Sequence, residues 1–364
     1  MSIQPQVSPI VARRIKHFRR GINLSHWFSQ VDPANGYIAS HFDSWISGKD
    51  FALIKAMGFD HVRFPIAPEP ILNERSPSEL PSEYIGKLDR NIQAMLDIDL
   101  AVIIDIHPNV AFKGGLATSD EKVAVFVSFW EALASHFSKF DPERVCFEVL
   151  NEPEIRNPKR WNAIQNEAAQ SIRGSAPAHT LVIGGDECSQ LPMLLLLEPP
   201  ADPNIICNFH LYDPIVFSHQ GANWAPPWAM ACEGMTYPVD PDFIQDFLRN
   251  VSDPDAVRKI KEYERQNWGV VRYQEMAGQA AEWGRAHGFA ISCNEFGVYK
   301  VFAPRPSRLL WVRDVVGALE KNHIVWTMWD YAGDFEVVRN KNGDRIPDDD
   351  LLGALGLIPN VGAA

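Results

Sequence analysis

The chain has 364 residues, 46% of them hydrophobic and 22% charged, which is enough for a full core in two domains or in one large α/β barrel. A net charge of −12 argues against nucleic acid or an anionic membrane as partner, since both select a basic surface. The five cysteines include no CxxC pair, so neither a disulfide framework nor a zinc site is expected, and a neutral ligand suits the charge balance best.

Residues 1–17 read as an N-terminal extension with several Arg and Lys but no apolar export core. No later run reaches the roughly 18 apolar residues of a membrane span. From there, apolar runs of strand length alternate with stretches of helical period. The runs cover 18–24, 60–64, 101–106, 145–150, 180–184, 205–209, 289–293 and 324–329. Most are nearly unbroken in Val, Ile, Phe or Cys, as strands covered on both faces must be.

The intervening helices carry single apolar stripes. Val123, Phe126, Val127, Trp130, Leu133, Ala134 and Phe137 step by three and four, and Thr118-Ser119-Asp120-Glu121 reads as a capping box at the start. Trp161, Ile164, Ala168 and Ile172 repeat the pattern after Asn157-Pro158, a cap followed by Pro at the first turn. Tyr273, Met276, Ala280 and Trp283 do so before the seventh strand, and further helices are expected over 49–57, 82–96, 188–197 and 307–321. Eight alternations without a Gly/Ser/Pro-rich linker predict a single (β/α)8 TIM barrel spanning residues 1–364 as one domain. The longest irregular segment, 213–253, holds Trp224-Ala225-Pro226-Pro227-Trp228 and reads as a stiff wall beside a groove.

In such a barrel, chemistry gathers at the C-terminal ends of the strands. Strand one ends in Asn23-Leu24-Ser25-His26-Trp27, strand two carries Arg63, and strand three ends in Asp105-Ile106-His107-Pro108. Strand four delivers Asn151-Glu152, strand six His210-Leu211-Tyr212, strand seven Asn294-Glu295, and strand eight Trp329-Asp330-Tyr331. Only strand five, ending Gly184-Gly185-Asp186, offers nothing obvious. Any one of these residues has a structural explanation, but polar groups from seven strands on one rim would be costly unless used. Of the eleven Trp, Trp130, Trp161 and Trp283 read as core, whereas Trp27, Trp224, Trp228 and Trp329 fall in loops or strand ends where indole faces can stack on sugar rings.

Glu152 and Glu295 share one context, an apolar run ending in Asn-Glu and broken by Pro153 or by Phe296-Gly297. Two carboxylates on one rim suit hydrolysis of an acetal, provided that their environments push their pKa values apart. Arg63 and Tyr212 would keep Glu295 ionised as nucleophile, while Glu152, with no cationic neighbour in sequence, would stay protonated as acid. Asn151 would reach a sugar 2-hydroxyl. This chemistry needs neither metal nor cofactor. A rival reading takes His26, Asp105, His107 and His210 as a metal site, but no HxH pair supports it. A phosphate-binding barrel would need a Gly-rich loop after strands seven and eight, where none is found.

The ordered set Arg63, His107, Asn151-Glu152-Pro153, His210-Leu211-Tyr212, Asn294-Glu295-Phe296-Gly297 and Trp329 resembles glycoside hydrolase family 5, over residues 21–334. Arg20-Gly21-Ile22-Asn23-Leu24 looks like that family's first strand, and the loop at 219–224 like that of its bacterial endoglucanases. One departure is Glu336, which follows Phe335 where the family pattern has Gly. The resemblance implies Glu152 as acid/base, Glu295 as nucleophile, Arg63 and Tyr212 steadying the nucleophile, and His107 and Asn151 binding the glycone. It further implies His210 beside the acid/base and Trp329 as the floor of the −1 subsite. The activity expected is that of a retaining endo-β-1,4-glucanase, with β-mannanase, xyloglucanase, β-1,3-glucanase or a non-catalytic carbohydrate-binding barrel as alternatives. The partner expected is a polysaccharide or oligosaccharide bound by a monomer, with His26, Trp27 and Trp224 lining the groove. A polymeric substrate leads one to expect a secreted or periplasmic enzyme. A retaining mechanism requires the two carboxyls about 5–5.5 Å apart.

Overall fold

Eight parallel strands pair in sequence order, and the last closes on the first: β1 (Arg20–Asn23), β2 (His61–Ile66), β3 (Ala101–Ile106), β4 (Val145–Glu148), β5 (Thr180–Gly184), β6 (Ile205–Leu211), β7 (Ala290–Phe296) and β8 (Val325–Met328). The computed structural model describes residues 6–357. Each strand is buried almost throughout because helices cover the outer face and side chains fill the inner one. The helix Asp120–Phe137, for instance, buries the stripe from Val123 to Phe137. Among the described residues, no helix is long and apolar enough to cross a membrane.

The lower end of the barrel is sealed by the chain's own beginning. A short helix, Pro9–Arg14, and the turn after it bring Val11 and Phe18 against Ala101, Ile103, Cys146, Val182 and Ile206, the innermost layer of the strands. Arg14, only 3% exposed, bonds the Ala178 carbonyl, Thr180 Oγ1 (3.1 Å) and the Glu143 carboxylate (3.0 Å). The seal leaves the opposite rim for chemistry.

Several expected elements end differently. Strands four and eight stop earlier, at Glu148 and Met328, whereas strands six and seven run further, to Leu211 and Phe296. The helix expected over 188–197 is instead two turns, Asp186–Ser189 and Leu191–Leu194, because Glu187, Cys188 and Ser189 take left-handed φ of 48°, 60° and 54°. Ser119 caps its helix by accepting from the Lys122 amide, but with lysine at that position no capping box closes. The 213–253 segment is not continuous coil: it contains Ile215–Ser218, a 3-10 turn Pro227–Cys232 and Pro241–Leu248. Fully buried Gln220 ties the segment together, donating to the Phe217 and Met235 carbonyls (2.9 and 3.1 Å) and accepting from the Gly234 amide (2.7 Å). A hairpin of β9 (Val338–Lys341) and β10 (Asp344–Pro347) follows β8 and carries Arg345 onto Asp50 at 2.9 Å.

Gly21 pairs with His61 on one side and Thr327 on the other, and the His61 ring crosses over it to meet the Thr327 hydroxyl at 2.8 Å. A Cβ at residue 21 would lie 2.1 Å from His61 Nε2, so barrel closure at this corner requires glycine. Gly21→Ala is expected to cost about 1–3 kcal/mol through overpacking, read as a lower urea midpoint at constant m. A wild-type midpoint would show that the imidazole has room to yield.

Candidate active site

The site is assembled around one buried cation. Arg63, on β2, is 0% exposed, and every one of its N–H donors is taken. Nε and Nη2 grip Glu148 (2.9 and 2.8 Å), Nη2 also reaches Asn151 Oδ1 (2.9 Å) and Asp105 (3.0 Å), and Nη1 reaches Asn23 Oδ1 (2.9 Å) and Glu295 Oε1 (2.6 Å). Burial works against its charge, but the carboxylates of Asp105, Glu148 and Glu295 outweigh that and raise its pKa well above the usual value. Thus one guanidinium ties together residues from β1, β2, β3, β7 and the end of β4.

Glu295 lies at the end of β7 and is 4% exposed. Arg63 holds its Oε1, and the Tyr212 hydroxyl donates to its Oε2 at 2.9 Å. Burial and the Glu295 charge push the Tyr212 pKa well up, so the phenol keeps its proton and stays a donor. Glu152 sits just beyond β4 with φ of 44°, a strained setting for a non-glycine residue. Its Oε1 lies 3.0 Å from His210 Nδ1, which is also 3.6 Å from Glu295 Oε2. Burial raises the Glu152 pKa, against the lowering influence of Lys113, His107 and Arg63. The same burial pulls His210 down to about 4, so its imidazole is neutral at neutral pH.

The opposite wall is a second hydrogen-bonded chain. His107 Nδ1–H donates to Asp105 Oδ2 (2.9 Å), and its Nε2 accepts from Asn151 Nδ2 (3.1 Å). The Asn151 amide is thereby oriented from both ends, by Arg63 and by His107. The His107 ring stacks on Trp329 at 5.6 Å between centroids and 20° between planes. These groups open into a cleft of about 690 Å³. His26, Trp224 and Trp329 line it together with His107, Asn151, Glu152, His210, Tyr212 and Glu295. Trp224 is 54% exposed at its edge and stands against Tyr299.

Trp27 is not part of this surface. It is fully buried, stacked on Phe64 with its Nε1–H on the Phe42 carbonyl at 2.8 Å, so the expected sugar platform is core. Trp228 is half-buried and faces a neighbouring cavity instead of the cleft. The residues of the rival metal reading are not gathered as a set: Asp105 and His107 bond each other, Arg63 and Asn151, while His26 Nδ1 faces the Gln30 carbonyl at 3.0 Å. Among the described residues, the His and carboxylate atoms close enough to share a cation belong to Glu152, His210 and Glu295, all within 4.8 Å of one another.

Two contributions escaped the sequence reading. Glu148, the last residue of β4, points inward and shares Arg63 with Glu295, while Asn294 Nδ2 donates to it at 2.7 Å. Its place inside the apolar run at 145–150 was the available signal, because a lone carboxylate at an inward position needs a buried partner. The second is strand five. Asp186, 1% exposed, accepts from the amides of Ile155 and Asn157 (both 2.8 Å), and the Cys188 amide donates to the Pro153 carbonyl (2.9 Å). The segment after β5 thereby clamps the strained loop that carries Glu152. Gly185 lets this segment fold back on itself, since a Cβ there would lie 2.5 Å from the Met193 backbone.

The model of the family "Cellulase (glycosyl hydrolase family 5)" matches residues 30–334. Endoglucanase C of Acetivibrio thermocellus is 29% identical over 337 residues, covering 91% of this chain and 95% of that protein. Cellodextrinase A of Ruminococcus flavefaciens is 26% identical over 313 residues, covering 84% and 83%. Among solved structures, Cel5A of Thermotoga maritima in complex with cellobiose superposes with a TM-score of 0.78 at 26% identity, over 96% of this chain and 100% of that one. With the matched region spanning the barrel from the first loop to the strand-eight rim, the chain belongs to glycosyl hydrolase family 5, the cellulase family.

Proposed function

We propose that this protein is a retaining endo-β-1,4-glucanase in which Glu295 is the nucleophile and Glu152 the acid/base. The observation that carries the reading is the closeness of the two carboxylates, one oxygen of each lying within 4.8 Å of the other and of one His210 nitrogen. An inverting pair stands roughly 6.5–9.5 Å apart to admit a water, and a retaining pair about 5–5.5 Å. The two groups also differ in the way that the chemistry needs. Glu295 has both oxygens held by donors, the Arg63 guanidinium and the Tyr212 hydroxyl, whereas burial favours the protonated form of Glu152.

In the first step a Glu295 oxygen attacks the anomeric carbon while Glu152 gives its proton to the departing glycosidic oxygen, leaving a glycosyl ester on Glu295. In the second step Glu152, now a carboxylate, takes a proton from water as that water attacks the same carbon and releases Glu295. Asn151, oriented by Arg63 and His107, is placed to bond the sugar 2-hydroxyl, and Trp329 to support the ring. The β-1,4-glucan and the endo mode are drawn from the endoglucanase relatives, of which three are 29% identical over nearly their whole length. The Thermotoga protein has also been solved with mannotriose, which keeps a mannan within reach of the same barrel.

The cluster of Glu152, His210 and Glu295 gives specific ground for a second reading, in which these three ligate a cation. The acid/base reading predicts full turnover of soluble β-1,4-glucan after exhaustive chelation. Loss of turnover that a divalent metal restores would instead favour the metal.

Glu295→Ala is expected to end hydrolysis of soluble β-1,4-glucan, and product release at the wild-type rate would remove Glu295 as nucleophile. Glu152→Ala should slow the polysaccharide by about 10²–10⁴ but slow the first step far less on a dinitrophenyl glycoside, whose leaving group needs no proton. Equal losses on both substrates would mean that Glu152 is not the proton donor.

The pH profile follows from the raised Glu152 pKa. The acid form does the work, so kcat/KM is present below that pKa and lost as pH rises through it, placing the alkaline limb above the ordinary Glu value of about 4.3. Because dinitrophenolate departs without a proton, kcat/KM of the wild type on the dinitrophenyl substrate should lack that limb. A limb that persists there belongs to another group.

A further inference from the structure

Glu336 pairs with Lys300, from the segment after β7, and the Lys300 amide donates to the Asp334 carbonyl at 3.0 Å. Arg308, 5% exposed on the helix Arg305–Lys321, donates through Nη2 to the Phe335 and Glu336 carbonyls (2.7 and 3.1 Å). The loop after β8 is therefore pinned at Asp334, Phe335 and Glu336 in turn. Phe335, at its centre, is buried at the wall of the cleft. We infer that Phe335 is a positioning residue, acting on the proposed nucleophile Glu295 through the ring of Tyr212. The inference rests on the hydrolase reading.

The rings carry the argument. Phe335 meets Tyr212 at 6.1 Å between centroids and 71° between planes, and meets His219 at 5.7 Å and 64°. Tyr212 and His219 meet each other at 5.0 Å and 81°. Three rings, each edge-to-face with the other two, hold the phenol from two directions, and such pairs contribute beyond the area that they bury. Both supports are themselves anchored. Ser218 Oγ lies 2.9 Å from His219 Nδ1, and burial pulls the His219 pKa down to about 4, so that ring is neutral at neutral pH. Phe335 has the pinned loop behind it, and Gly297 clears its seat, since a Cβ there would lie 3.0 Å from Phe335 Cδ1.

The consequence falls on Glu295. Arg63 holds one of its oxygens, and the Tyr212 hydroxyl donates to the other at 2.9 Å. A hydrogen bond weakens steeply as its angle opens, so a phenol free to tilt would leave the carboxylate with one firm donor in place of two.

The test is a double-mutant cycle on kcat/KM for a dinitrophenyl cellobioside, whose leaving group carries no sugar for the cleft wall to bind. It uses the wild type, Phe335→Leu, Tyr212→Phe and the double variant, with Phe335→Met in place of Phe335→Leu should the latter not fold. With Tyr212 present, Phe335→Leu should lower kcat/KM about tenfold, the lower end of what a hydrogen bond to a charged group is worth. With Tyr212→Phe already made, the same change should cost less than twofold. Phe335→Tyr, which keeps a ring in the seat, should stay within threefold of wild type. Equal losses in the two backgrounds, no loss in either, or a Phe335→Tyr loss as large as that of Phe335→Leu overturns the assignment and leaves the hydrolase reading intact. No turnover by the wild type sinks the hydrolase reading, and this proposal with it.

Discussion

Everything at the rim depends on burying Arg63. A guanidinium with no exposure must have its donors paired, and here each is paired with a residue that the proposed chemistry also uses or that holds one in place. Because its partners are spread around the barrel, Arg63 converts closure of the sheet into the placement of Glu295 and Asn151. The cation is outnumbered by Asp105, Glu148 and Glu295. Burial raises the Glu148 pKa and pushes Asp105 up to about 7, in each case against the lowering pull of Arg63.

The two glutamates are treated differently by the same fold. Glu295 is at the end of a strand and inherits the rigidity of β7, with both oxygens fixed by donors. Glu152 lies outside its strand, in a left-handed backbone setting that the clamp of Asp186 and Cys188 sustains. The proposed nucleophile benefits from being held still. The proposed acid/base would benefit from a partner such as His210, whose Nδ1 lies 3.0 Å from it. The clamp from β5 thus supplies the support that the apparently empty strand contributes.

Much of this was legible in the chain. The eight apolar runs marked the strands because a sheet covered on both faces leaves few polar gaps, and the Asn-Glu endings at 151–152 and 294–295 marked where the strands give way to the rim. The Trp residues were less readable. Trp27 and Trp224 occupy similar loop contexts, yet one is fully buried against Phe64 and the other is half exposed beside Tyr299. Which neighbour folds over an indole depends on residues far along the chain, and local composition carries no trace of them.

By itself the sequence determined the barrel, the order in which polar groups reach its rim, and which two glutamates share the Asn-Glu context there, because periodicity and strand ends are local properties. Tertiary structure alone decided that Glu148 shares the cation, that Asp186 holds the Glu152 loop, and that Gly21 must lack a side chain. These are distances between atoms separated by 31 to 85 residues, or across a barrel seam, and only closure of the sheet brings them within bonding reach.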